Sequence, residues 1–195
     1  MKNNPDYNCL FETAENQAGY FSSRQARSCG FSWERLSNSV KSGNFKRIAT
    51  GIYRYQPFPV SQNEDLFIAL LKAGENSVLS HETALSVYGL SDALPGKIHV
   101  TIPRTTSRRR AGIRFHTKAI GQDEITRYEG LRLTTVERTV VDLFESGFDP
   151  GQLRQAVEQA LERGLITKGS LIRTLAIRGK SSQSKFETLI SMRLA

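Results

Sequence analysis

The order of signals in residues 21–55 leaves few folds open: a short helix, a glycine-bearing turn, a second helix and a two-stranded hairpin. Ser22 or Ser23 can cap the first helix, because a serine oxygen satisfies a backbone N–H that the helix leaves without a partner. Cys29-Gly30-Phe31 interrupts that helix, and Ser32 is placed to cap the next. Trp33, Leu36 and Val40 recur at helical spacing and form the expected apolar face of the second helix. Gly43 ends it, since glycine tolerates the left-handed backbone of a C-terminal cap. Phe45, Ile48, Ile52, Tyr53 and Tyr55 then alternate with Lys46, Arg47 and Arg54 around a Thr50-Gly51 turn. This succession predicts a winged helix-turn-helix with a basic wing.

The charge balance agrees with an anionic partner. The 195 residues hold 27 Lys and Arg against 19 Asp and Glu, a net charge of +8. A basic surplus of this size favours nucleic acid among possible ligands. A hydrophobic content of 38% suits a folded chain rather than a disordered one. Cys9 and Cys29 stand at no metal-type spacing with another Cys or His, and they read as reduced, partly buried thiols. No apolar run approaches the length of a membrane span. The first residues lack the apolar core of a secretory signal. A cytoplasmic location is expected.

The expected organisation is a winged helix-turn-helix over residues 1–56, a proline-stiffened linker over 57–60, and a second domain over 61–195. A helix over 5–18, carrying Leu10, Phe11 and Ala14, precedes the helix-turn-helix pair. The second domain reads as mixed. Helices are expected over Glu64–Ala73, from Ser80 as cap to about Gly89, and over 135–146, 150–163, 168–178 and 182–194. Ile98-His99-Val100-Thr101-Ile102 and Ile113-Arg114-Phe115-His116-Thr117 alternate like strands, joined by 104–112 into an antiparallel hairpin. Ile98, Val100, Ile102, Ile113 and Phe115 would share the core face; His99, Thr101, Arg114 and His116 the polar one. Strands early and helices late predict α+β, with a small antiparallel sheet and C-terminal helices.

The second helix of the motif offers Ser32, Glu34, Arg35, Ser37, Asn38 and Lys41 outward. Arg35 and Asn38 are the best base readers, because Arg matches guanine and Asn matches adenine bidentately. Lys46, Arg47 and Arg54 on the wing are expected to hold phosphates, which position without specifying sequence, and Arg24 and Arg27 on the first helix complete the expected DNA-binding set. Trp33 is expected to anchor the helix in the core. Arg104, Arg108, Arg109 and Arg110 form the densest cationic cluster. They read as a second basic patch on a solvent-facing loop, for DNA or another acidic partner.

Catalytic signals are weak. His81-Glu82 are sequence neighbours on one helix, where side chains diverge rather than converge on a substrate. Arg138 and Asp142, one helical turn apart, predict a structural ion pair. The three histidines stand at no metal-ligand spacing, so no metal or cofactor is expected. Neither a Glu-x-Lys nuclease pattern nor a phosphate-cradling glycine loop occurs. A rival reading keeps a DNA-targeted nuclease or nucleotide-modifying enzyme delivered by its winged helix.

Four blocks carry a resemblance to a known family. They are Gly19-Tyr20-Phe21-Ser22-Ser23-Arg24-Gln25-Ala26 through Gly51-Ile52-Tyr53-Arg54; Leu79-Ser80-His81-Glu82-Thr83-Ala84-Leu85 with Tyr88-Gly89-Leu90; Ile98 through Pro103; and Leu133 through Leu143. In this order they resemble AbiEi antitoxins and cover the chain from about Gly19 to Leu143. The resemblance implies a DNA-binding antitoxin of a type IV toxin–antitoxin system that represses its own operon. It further implies opposition to a nucleotidyltransferase-type toxin, without a stable complex between the two. Some relatives carry an endonuclease-like extension, and none is expected here after Ser184-Lys185-Phe186-Glu187. Taken together, the expected partner is double-stranded operator DNA, and the expected role is regulatory rather than enzymatic.

Overall fold

The computed structural model describes residues 4–90, 95–103, 110–177 and 186. Packing divides the chain into two compact units, Met1–Asn76 with Arg127–Leu131, and Ser77–Thr126 with Arg132–Ala195. No described helix is long and apolar enough to cross a membrane. The architecture is mixed α+β, with two separate sheets.

The first unit begins with α1 (Tyr7–Glu15), capped by Asp6, whose carboxylate accepts from the Cys9 amide at 3.0 Å. Strand β1 (Tyr20–Ser22) leads straight into α2 (Ser23–Ser28). Ser22 caps α2 in a capping box: its hydroxyl accepts from the Gln25 amide, and the Gln25 side chain accepts from the Ser22 amide. Ser32 caps α3 (Trp33–Lys41) by accepting from the Arg35 amide at 3.1 Å. The hairpin β2 (Phe45–Ala49) and β3 (Ile52–Tyr55) follows. Its two-residue turn places Gly51 at φ +73, a conformation that a β-carbon disfavours. The three strands form an antiparallel sheet in the order β1-β3-β2.

Leu10, Ala14, Phe21, Ala26, Phe31, Leu36, Phe45 and Tyr53 make one buried cluster under these elements. Phe21 and Phe45 meet edge to face at 5.0 Å. Each fully buried large side chain of this kind contributes about 2 kcal/mol from surface removed from water. Cys9 and Cys29 are joined in a disulfide, with Cα atoms 5.8 Å apart. This corrects the expectation of free thiols. The packing of α1 on the end of α2 brings together two cysteines that their spacing along the chain leaves unrelated.

Helix α4 (Glu64–Ala73) belongs to the first unit. Its Phe67 and Ala69 are buried, and Phe67 stacks on Tyr20 with centroids 5.3 Å apart. The division by packing therefore falls beyond the Pro57-Phe58-Pro59 joint rather than at it.

Apart from Arg127–Leu131, the second unit holds a five-stranded sheet in the order β6-β5-β4-β8-β7. The strands are β4 (Val78–Leu79), β5 (Ile98–Ile102), β6 (Ile113–Thr117), β7 (Ile125–Tyr128) and β8 (Leu131–Thr134). β4 runs antiparallel to β5 and parallel to β8, and β5 runs parallel to β6, so the sheet is mixed. The antiparallel hairpin expected for β5 and β6 is thereby corrected. A five-residue strand is about 17 Å long, which the chain between Ile102 and Ile113 can retrace. The face assignment survives, because a two-residue period is blind to strand direction. Val100 and Ile102 are buried on one face, while His99 pairs with Arg114 and Thr101 with His116 on the other.

Helices α5 (His81–Val87), α6 (Val136–Glu145), α7 (Pro150–Glu162) and α8 (Lys168–Ala176) complete the described unit. Thr135 caps α6, and Asp149 caps α7 ahead of Pro150 in its first turn. Leu79, Leu85, Leu133, Val140, Leu143, Leu153 and Ala160 are fully or almost fully buried. The helix expected over 182–194 lies outside the described residues apart from Phe186, which is helical and buried.

Candidate functional site: a basic winged face and a buried histidine centre

The capping geometry fixes which side of α3 faces out. Leu36 and Ser39 point inward. Ser32, Glu34, Arg35, Ser37, Asn38 and Lys41 are exposed, as are Arg24 and Arg27 on α2 and Lys46 and Arg47 on β2. The inventory of exposed donors is therefore rich on helix, neighbouring helix and wing.

Two residues sit differently from their expected places. Trp33 is 57% exposed, and the Arg27 guanidinium lies 5.5 Å from its ring centroid. It is the first residue of α3, where the helix has not yet turned its apolar face onto the core, so it projects beside the basic residues. Helical spacing from Leu36 suggested burial; the position directly after the cap decides otherwise. Arg54 is the converse case, with only 4% of its surface exposed. A two-stranded wing would leave it outward. The added strand β1 makes β3 central, with Tyr20 opposite Arg54 on one side and Lys46 on the other. Arg54 lies 6.0 Å from the Tyr20 ring, and its Nε and Nη1 have no hydrogen-bond partner. It is a buried arginine, unable to meet a phosphate on the wing.

Of the arginine cluster, Arg104, Arg108 and Arg109 lie outside the described residues. Arg110 is half-buried with its Nε enclosed, so it does not extend freely into solvent.

The second unit contains a polar centre that linear spacing hid. His81 opens α5, His99 stands on β5 and His116 on β6. One ring nitrogen or another of each lies within 4.8 Å of the other two. His116 Nε2 and His99 Nδ1 are 3.4 Å apart, and the rings of His81 and His116 stack with centroids at 3.6 Å. Burial depresses the basicity of all three. It takes His81 down to about 3 with help from His116, and His116 down to about 4 with help from His99. His99 is lowered by burial as well. The three rings are neutral near pH 7.

Ser80 does not cap α5 with its side chain. Its oxygen instead accepts from Thr101 Oγ1 at 2.7 Å and meets His81 Nδ1 at 3.0 Å. Nearby, Arg138 is fully buried. Its Nε donates to Asp142 at 2.8 Å and its Nη1 to Glu124 at 2.6 Å. Lys118 donates to Asp142 at 3.1 Å and to Glu145 at 2.6 Å. Burial alone would raise the Asp142 carboxyl, but the hydrogen bond and charge of Arg138 outweigh it and hold the carboxyl below its ordinary value. The expected Arg138–Asp142 pair is thus present as one limb of a larger network.

A helix-turn-helix with a basic hairpin, followed by a mixed α+β unit, has the layout of a transcriptional regulator with a separate second domain. Residues 10–56 match the family model for "Transcriptional regulator, AbiEi antitoxin", and residues 76–192 match "AbiEi antitoxin C-terminal domain". The chain belongs to the AbiEi antitoxin family. The first matched domain is a transcriptional regulator by description and both are antitoxin domains, which supports a DNA-binding antitoxin. Among solved structures, the RV2827C protein from Mycobacterium tuberculosis superposes with a TM-score of 0.55 at 12% identity, covering 93% of this chain and 74% of that one. That likeness is one of fold. No curated protein matches the chain.

Proposed function

We propose that this protein is a sequence-specific DNA-binding antitoxin of a type IV system, acting in the cytoplasm. It represses its own operon and opposes a nucleotidyltransferase-type toxin without forming a stable complex with it. The observation that carries the DNA-binding part is the exposed face of α3 beside the wing. There Arg35 and Asn38 serve as base readers, and Arg24, Arg27, Lys41, Lys46 and Arg47 as phosphate contacts, with Ser32 at the helix start. Trp33 joins them as an exposed aromatic surface for a sugar or base, steadied by Arg27. The second domain carries the antitoxic function.

The test is a gel shift on DNA from upstream of the chain's own gene against random duplex of equal length, across a salt series. Tight, sequence-selective retardation is expected, and Trp33→Ala should weaken it about tenfold, equivalent to about 1.4 kcal/mol. Equal affinity for both duplexes defeats the repressor reading, and divalent-ion-dependent cleavage of either supports a nuclease instead.

A further inference from the structure

Three histidines from three different elements converge in the second unit, and they are all the histidines the chain has. We propose that His81, His99 and His116 form a binding site for one divalent late first-row transition ion, Zn2+ being the best fit. Three features of the geometry support it.

The first is donor spacing. His116 Nε2 and His99 Nδ1 stand 3.4 Å apart. That is long for a hydrogen bond, but two imidazole nitrogens on one tetrahedral zinc, each at about 2.05 Å, are about 3.4 Å apart. The third nitrogen lies within 4.8 Å, close enough for a side-chain rotation to complete the set. The rings of His81 and His116 are nearly parallel at present, 14° between planes. Entry of an ion tilts them, since each coordinating ring must contain the ion in its own plane.

The second is orientation. His81 Nδ1 is directed at the Ser80 hydroxyl, itself held by Thr101. A ligating histidine characteristically donates its other ring N–H to an oxygen acceptor, and His81 Nδ1–H donating to the Ser80 oxygen is the tautomer that leaves Nε2 for the metal. His99 is fixed through its backbone: its amide donates to Thr83 Oγ1 at 2.8 Å and its carbonyl accepts from the Ser80 amide at 3.1 Å.

The third is local cost. His81 holds φ +50, a left-handed backbone that a non-glycine residue rarely adopts. Ser80, meanwhile, gives up its side-chain cap on α5 to reach His81. Strain of this kind persists where the surroundings over-determine it, characteristically at functional sites. Plain core packing would be served by apolar residues at no such cost.

The donor set selects the ion class. Three neutral imidazoles suit Zn2+, Co2+ and Ni2+, whereas Mg2+ and Ca2+ require oxygen ligands. The Asp142 carboxylate is engaged by Arg138 and Lys118, so it tempers the local field rather than supplying a ligand. The fourth position falls to solvent on the side of His116, the least buried of the three.

The experiment uses the full-length, untagged protein, stripped with EDTA and titrated with Co2+, then with Zn2+. Uptake should saturate at one ion per chain, with the visible absorption of low-coordinate Co2+, bleached by one equivalent of Zn2+. Zn2+ should also raise the melting temperature. Ser80→Ala, which keeps all three ligands, should weaken binding about 10- to 100-fold. His116→Gln should abolish the Co2+ spectrum, and Cys9→Ser with Cys29→Ser should leave it intact. X-ray absorption of the zinc-loaded wild type should show a nitrogen and oxygen shell, a readout independent of whether any variant folds. A sulfur shell, unsaturable uptake, or full binding by His116→Gln overturns the proposal. DNA affinity enters none of these measurements.

Discussion

Arg138 is the largest fully buried side chain among the described residues, and its cost is met only by its partners. Arg138→Met is expected to destabilise the protein by about 3–5 kcal/mol, because it leaves the Asp142 carboxylate buried with Lys118 alone. Adding Asp142→Leu should recover more than half of that, since an apolar pair replaces the buried charges. Urea melts of the two variants check this, and an unchanged double variant argues against an electrostatic origin. The pH dependence has a defined sign. In the wild type the Asp142 carboxyl lies below its unfolded value, so its contribution is full above the ordinary carboxylate range and is lost only in stronger acid. Without Arg138, burial acts with less opposition, and protonation relieves the buried charge. The stability gap between variant and wild type should therefore narrow as pH falls from 7 towards 4. At this scale the sequence was legible wherever the interaction was local. Arg138 and Asp142 lie one helical turn apart, and that spacing announces the pair. The histidines are separated by 18 and 17 positions (99 − 81 and 116 − 99), and no local rule joins them. Convergence of α5, β5 and β6 is a tertiary fact.

At the scale of elements, helix and wing should divide the work of binding. Arg35→Ala with Asn38→Ala is expected to relax sequence preference while keeping affinity for random duplex, because base contacts specify. Lys46→Ala with Arg47→Ala should weaken binding to every duplex alike and flatten the salt dependence by about one unit of log–log slope per lost phosphate contact. Fluorescence titrations on both duplexes separate the outcomes, and identical behaviour of the two pairs would erase the distinction. The caps of α2 and α3 were readable because Ser22 and Ser32 sit directly before their helices. Arg54 was misplaced because β1 is only three residues long, Tyr20–Ser22, too short to show alternation. Once β1 pairs, β3 becomes central and its arginine is enclosed. The direction of β6 relative to β5 was hidden for another reason: alternation assigns faces, and direction depends on the path of the connection.

At the scale of the whole molecule, the chemistry of the chain and the packing of its side chains mark different joints. The proline joint marks a change of local chemistry, whereas packing carries the first unit to Asn76. Tyr20 explains the difference. Its hydroxyl donates to Glu64 at 2.8 Å, accepts from the Ser61 amide at 3.2 Å, and its ring stacks on Phe67. A fragment ending at Gln56 loses all three and leaves the fully buried Tyr20 uncovered. A fragment of Met1–Asn76 keeps them. The shorter fragment should be less stable by about 3–5 kcal/mol, the scale of removing a buried phenylalanine, and so largely unfolded at 25 °C. The longer one should melt cooperatively and retain operator selectivity, with weaker overall affinity from fewer cationic contacts. Neither should rescue cells expressing the toxin, because the antitoxic function is assigned to the second domain. Equal melting of the two fragments would show that α4 is not needed to close the first unit, and rescue by Met1–Asn76 would move the antitoxic function to the winged helix.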